Sequence, residues 1–144
     1  MSNTVLPTEM NTVEDNYGYP NGIVFVREPG YTHKLNRDTQ TVSGFVDNKE
    51  AYRQAVVKLL STERYDHVIY STDYGVELRQ LFGMPIYYVV PELERRITEA
   101  VMQDDRTVDV HSFEFDISKR GVVSVKFHAR SIYGEVEIEK EVEI

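Results

Sequence analysis

Between Val123 and the final Ile144, apolar side chains fall on alternate residues: Val123, Val125, Phe127 and Ala129, then Val136, Ile138, Val142 and Ile144. A period of two belongs to a strand, because successive side chains leave it on opposite faces. In the last strand the opposite face is Glu135, Glu137, Glu139, Glu141 and Glu143, and Lys140 interrupts the apolar row. Tyr133-Gly134 reads as the turn between these two strands, and Lys119-Arg-Gly121 as the turn before them. Upstream, Val108 and Val110 share one phase while Phe113, Phe115 and Ile117 share the other. A bulge near His111-Ser112 lets both sets face one core. The tail of the chain is thus expected to be a three-stranded antiparallel meander with one face for packing.

Helices are expected to cover that face. Asp47-Asn-Lys-Glu50 has the form of a capping box, and Tyr52, Ala55, Val56, Leu59 and Leu60 follow as one apolar stripe. Asp73 is expected to open a second helix, carrying Val76, Leu78, Leu81 and Phe82 and stopped by Gly83 and Pro85. Met84 to Val90 reads as an extended link. Pro91, with Glu92 and Glu94 behind it, then starts a third helix that buries Leu93, Ile97, Ala100 and Val101 and ends near Gln103.

Before the helices, Tyr31 to Asn36 and Thr39 to Phe45 read as a hairpin around Asn36-Arg-Asp38. Ile23-Val-Phe-Val26 reads as a short strand closed by Glu28-Pro-Gly30. Residues 1–22 have no period and are expected to form a flexible arm, either frayed or ordering on a partner through Tyr17 and Tyr19. The expected fold is α+β: three helices packed on a C-terminal antiparallel β-meander, with a small N-terminal β segment and the arm. Residues 23–144 form the single domain.

The 144 residues suit one domain with a real core. A net charge of −8 is the wrong sign for unaided nucleic-acid binding, and no apolar run is long enough for a membrane helix. The start Met1-Ser-Asn-Thr-Val shows neither a basic stretch nor an apolar core, so no secretory signal is expected. The absence of cysteine removes disulfides and thiolate metal sites, which fits folding in the cytoplasm. No phosphate loop, zinc-protease or serine-hydrolase motif is present. His33, His67, His111 and His128 are scattered; the last two fall on neighbouring strands without a placed carboxylate, so no metal or cofactor is expected. Glu63, Asp73 and Glu77 form the one carboxylate cluster that resembles glycosidase chemistry. Helix capping by Asp73 and a local Glu63–Arg64 ion pair account for it as well.

Ser61 to Leu81 concentrates charge and aromatic rings between two helical segments, with Glu63, Arg64, Tyr65, Asp73, Tyr74 and Gly75 at its centre. It reads as a structural hub or as a site. Tyr65, Tyr70, Tyr74, Tyr87 and Tyr88 serve either an interface or a core rim. The Glu row of the last strand has two readings as well. It is a solvated face that discourages edge pairing, or a surface that docks a basic partner or accepts another chain's strand. Residues 134–144 carry five Glu and one Lys, half of the net charge.

The order Glu50-Ala-x-x-Gln-Ala55, Leu60-x-Thr-Glu-Arg-Tyr65, Ile69-Tyr-x-x-Asp-Tyr-Gly-x-Glu-Leu78, followed by a helix, Asp104-Asp-Arg106 and the meander, resembles the contractile-tail baseplate wedge and sheath-initiator family, in its PBSX-type prophage branch. The resemblance covers roughly residues 31–144. It implies a structural, non-enzymatic virion protein of the tail baseplate, made in the host cytoplasm, that joins the helical bundle of wedge proteins to the first ring of tail sheath. Tube or hub proteins are further partners in that setting. The family's Glu-Pro-Arg triplet, which engages the wedge bundle, corresponds here to Asp104, Asp105 and Arg106, without the proline. Sheath subunits join by exchanged strands, so the resemblance makes the meander an acceptor and its Glu-rich strand the sheath-facing one. Arg64 and Arg106 are candidates either for contacts between molecules or for buried pairs within the domain. A peptidoglycan-degrading glycosidase using Glu63 or Glu77, and a cytoplasmic adaptor, are the competing functions.

Overall fold

The computed structural model describes residues 30–144. The expected arm, with Tyr17 and Tyr19, and the expected strand Ile23 to Val26 lie outside the described residues. Two strands, β1 (Thr32–Asn36) and β2 (Thr41–Val46), form an antiparallel hairpin. Helix α1 (Asn48–Leu60) follows, and a long loop containing one 3-10 turn (Arg79–Leu81) leads to helix α2 (Ile86–Met102). The chain ends in β3 (Thr107–Asp116), β4 (Val122–Ser131) and β5 (Gly134–Glu143), ordered β3-β4-β5.

The meander has the expected form. Every second residue of β4 is buried from Val123 through Ala129, and Val136, Ile138 and Val142 are buried on β5. The register of β3 against β4 shifts between His111 and Glu114, with Ser112 in the left-handed region at φ 57°. This bulge returns Phe113 and Phe115 to the packed side that Val110 already faces. Val108 and Ile117, at the ends of that row, stay exposed.

The three-helix expectation is overturned: the described residues hold two helices. Asp73 caps no helix, and Val76 and Leu81 are buried as separate plugs of an irregular loop while Phe82 is exposed. The plugs lie five positions apart, a spacing that does not return a side chain to the same helical face. The expected third helix starts five residues earlier, at Ile86. Pro85 acts as its N-cap, and its carbonyl accepts from the Tyr88 and Val89 amides at 2.9 and 3.0 Å. Pro91 therefore lies inside α2. Burial of Val89 in line with Leu93 and Ile97 outweighs the missing amide.

α1 packs against β5 and α2 against β3. α1 buries Tyr52, Val56, Leu59 and Leu60 as expected, with Ala51 in place of Ala55. Asp47 caps α1 by accepting from the Asn48 amide at 2.7 Å. The hairpin is tied to α1 by one side chain. The Gln54 amide accepts from Leu35 N at 2.9 Å and donates to the His33 carbonyl at 2.8 Å, completing part of the β1 edge.

Candidate functional site

The loop between α1 and α2 is held by backbone first. The Val76 amide donates to the Thr62 carbonyl at 3.0 Å and the Arg64 amide to the Val76 carbonyl at 3.3 Å, a short parallel bridge. Gly75 makes this approach possible: its φ is +99°, and a Cβ there would lie 2.7 Å from the Thr62 carbonyl oxygen. Glu63 does not pair with Arg64. Its carboxylate accepts from the Leu78 and Arg79 amides, each at 3.1 Å, and so caps the 3-10 turn. That use accounts for the carboxylate without any catalytic role.

Arg64 is an internal brace. Its side chain is 12% exposed, donates to the Gly75 carbonyl at 3.2 Å and to Glu99 of α2 at 3.2 Å, and lies 3.6 Å from Glu77. Its Nε has no hydrogen-bond partner among the described residues. Arg96, which the sequence reading overlooked, repeats the design: it donates to the Glu77 carbonyl at 2.6 Å and to Glu92 at 3.0 Å. Glu92 also accepts from Arg95, and the two guanidinium groups push its carboxyl down to about 2. The i, i+4 spacing of Glu92 and Arg96 was the available signal. Tyr74 stacks on Tyr70 at 4.4 Å, and burial raises the pKa of its hydroxyl. Tyr65, at φ 70°, and Asp73 remain exposed, as do Val68 and Ile69 on the same loop.

Asp104 and Arg106 form a closed corner at the end of α2. Arg106 donates from Nε and a terminal nitrogen to the two Asp104 oxygens at 2.9 and 2.6 Å, and its backbone amide adds a third bond at 2.9 Å. Burial works to raise the Asp104 carboxyl, but the bonds and charge of Arg106 outweigh it and hold the carboxyl below its usual range. The guanidinium also lies 5.6 Å from the ring centre of buried Tyr52, whose hydroxyl meets Thr107 at 2.8 Å. Asp105 is exposed beside this pair.

The third candidate surface is β5. Among the described residues it hydrogen-bonds to β4 on one side only. The Ile144 amide donates to the Gly121 carbonyl at 3.0 Å, and the register runs without a shift from there to Ser131 and Gly134. Antiparallel pairing alternates, so even-numbered residues of β5 turn their backbone groups toward β4. Glu135, Glu137, Glu139, Glu141 and Glu143 turn theirs to the outer edge. These residues thus carry both the acidic face and the open backbone. On that face His111 and His128 stack at 5.9 Å, and His111 lies 2.7 Å from Glu135. No group of three His, Asp or Glu converges as a metal site among the described residues, and no described helix is long and apolar enough to cross a membrane.

A contractile injection system sheath initiator family model matches residues 31–134. The chain is also 34% identical over 120 residues to the phage-like element PBSX protein XkdS of Bacillus subtilis (strain 168), covering 80% of this chain and 84% of that relative. The matched region takes in the hairpin, both helices, the braced loop and the meander up to the first residue of β5. Sheath initiators are structural components of contractile tails rather than enzymes. The chain belongs to the contractile injection system sheath initiator family, and its prophage relative places it in the tail-protein branch.

Proposed function

We propose that this protein sits at the inner baseplate of a contractile tail, where it joins the wedge helical bundle to the first sheath ring and starts sheath polymerisation. The observation that carries the reading is the β5 edge: a ten-residue strand, unpaired on its outer side among the described residues, in a sheath initiator. Such an edge offers a row of unpaired amides and carbonyls to an incoming strand. The sheath protein supplies that strand, and the five Glu face it. The other contact is the corner Asp104, Asp105 and Arg106, which meets the wedge proteins, with the hub loop of Glu63, Arg64, Tyr65, Asp73, Tyr74 and Gly75 as a further contact surface. Assembly takes place in the host cytoplasm and the protein ends in the virion baseplate, where tube or hub proteins are neighbours.

The test is a pull-down of tagged protein from cells expressing the whole tail locus, read by mass spectrometry. Glu139→Pro removes an outward amide without touching the β4 ladder, and should lose sheath protein while keeping wedge proteins. Asp105→Lys reverses an exposed charge beside the intact Asp104–Arg106 pair, and should do the reverse. Two variants that each recover both partners in full would refute the assignment of surfaces.

A further inference from the structure

Lys140 stands on the inward side of β5, in a row whose members Ile138 and Val142 are buried. It borders a recess of about 270 Å3 between the β5 edge and the β1–β2 turn, floored by Val57, Leu60 and Ser61 of the α1 end, with Arg37 on the far side. Burial lowers the pKa of the Lys140 ammonium, and the nearby Arg37 charge lowers it further. Among the described residues neither cation has a carboxylate within ion-pair distance, whereas Lys119 and Lys126 both reach glutamates, Glu141 at 3.6 Å and Glu137 at 3.1 Å. A half-buried cation without a counter-ion destabilises the isolated domain.

We infer that the Lys140–Arg37 recess is a carboxylate-receiving subsite of the β5 edge, filled by an Asp or Glu of the strand that adds there. This rests on the proposed docking of the sheath protein at β5. Side chains alternate across a sheet, so the incoming residue beside Lys140 points into the recess and its two neighbours point to the acidic face. Glu139 and Glu141 stand on that face and also contribute to the lining of the recess. The matching strand therefore reads basic, acidic, basic across this position. A second copy of this chain does not fit, because pairing two β5 edges there sets Lys140 and the Glu row against like charges.

The experiment measures binding of the sheath protein from the same tail locus to the full chain and to four variants. Lys140→Met should melt at or above the wild-type temperature, since it removes a half-buried ammonium, yet bind sheath protein on the order of tenfold more weakly. The loss should lie in faster dissociation. Arg37→Gln should weaken binding several-fold, and Lys140→Glu should weaken it more than Lys140→Met. Wild-type affinity in Lys140→Met and Arg37→Gln, with binding lost in Glu139→Pro, would refute the subsite and leave the edge reading standing. Full binding by Glu139→Pro would bring down the edge reading and the subsite together.

Discussion

Arg106 carries two demands, one structural and one proposed for assembly, and its surroundings decide how they can be separated. Removing the guanidinium leaves the Asp104 carboxylate half-buried with one backbone donor in place of three bonds. Arg106→Ala should therefore lower stability by about 1–3 kcal/mol, measurable by urea unfolding. Arg106→Ala thus disturbs the fold as well as any partner contact, which is why Asp105→Lys is the better probe. The same pair sets an acid limit. The folded Asp104 pKa is depressed, so its stabilisation is present above the unfolded value, about 3.9. It is lost as pH falls through the folded value. Unfolding midpoints measured downward from about pH 5 should drop more steeply in wild type than in Asp104→Asn, where this titration is absent.

The elements differ in how far the sequence exposes them. Alternation made the meander readable down to the bulge at Ser112, because a strand with one buried face must keep its phase or repair it. The stretch after Asp73 was unreadable for the opposite reason. Its shape comes from a bridge between Glu63 and Val76, thirteen residues apart and with no periodic trace. Gly75 was visible, but the Thr62 carbonyl that requires it was not. Gly75→Ala should cost roughly 3 kcal/mol, combining the left-handed backbone with a clash that no side-chain rotation relieves; a loss under about 1 kcal/mol in chemical denaturation would refute the account. Pro91 misled for a different reason. Proline favours a helix start, yet here the start is set by Pro85 and the burial of Val89. Pro91→Ala restores an amide aimed at the Tyr87 carbonyl, and should stabilise the protein by about 2 kcal/mol after the unfolded-state entropy is offset. A lowered melting temperature would show that the proline serves the packing of α2.

Across the whole molecule, charge and edge coincide. Five of the 24 acidic residues stand in one row on β5, and their own backbone groups form the side left open among the described residues. The row was plain in the sequence. Its coincidence with the edge was not, since that depends on β5 lying outermost and on which residues face β4. Lys140 was legible as a break in an apolar row, but its recess needs Arg37, more than a hundred residues away, and the end of α1. These two charge systems should act on different steps of sheath docking. The Glu row is exposed, so it steers approach through a field that salt screens over about 10 Å at 0.1 M. The subsite is half-buried and is reached only once the strand has paired. Raising salt, or replacing Glu137 and Glu141 by Gln, should therefore slow association several-fold with little change in dissociation. Lys140→Met should do the reverse. Stopped-flow association and surface-immobilised dissociation with the same sheath protein separate the two rates. If salt and the Gln replacements instead speed dissociation and leave association unchanged, the Glu row acts on the strand only after it has paired and does not guide the encounter.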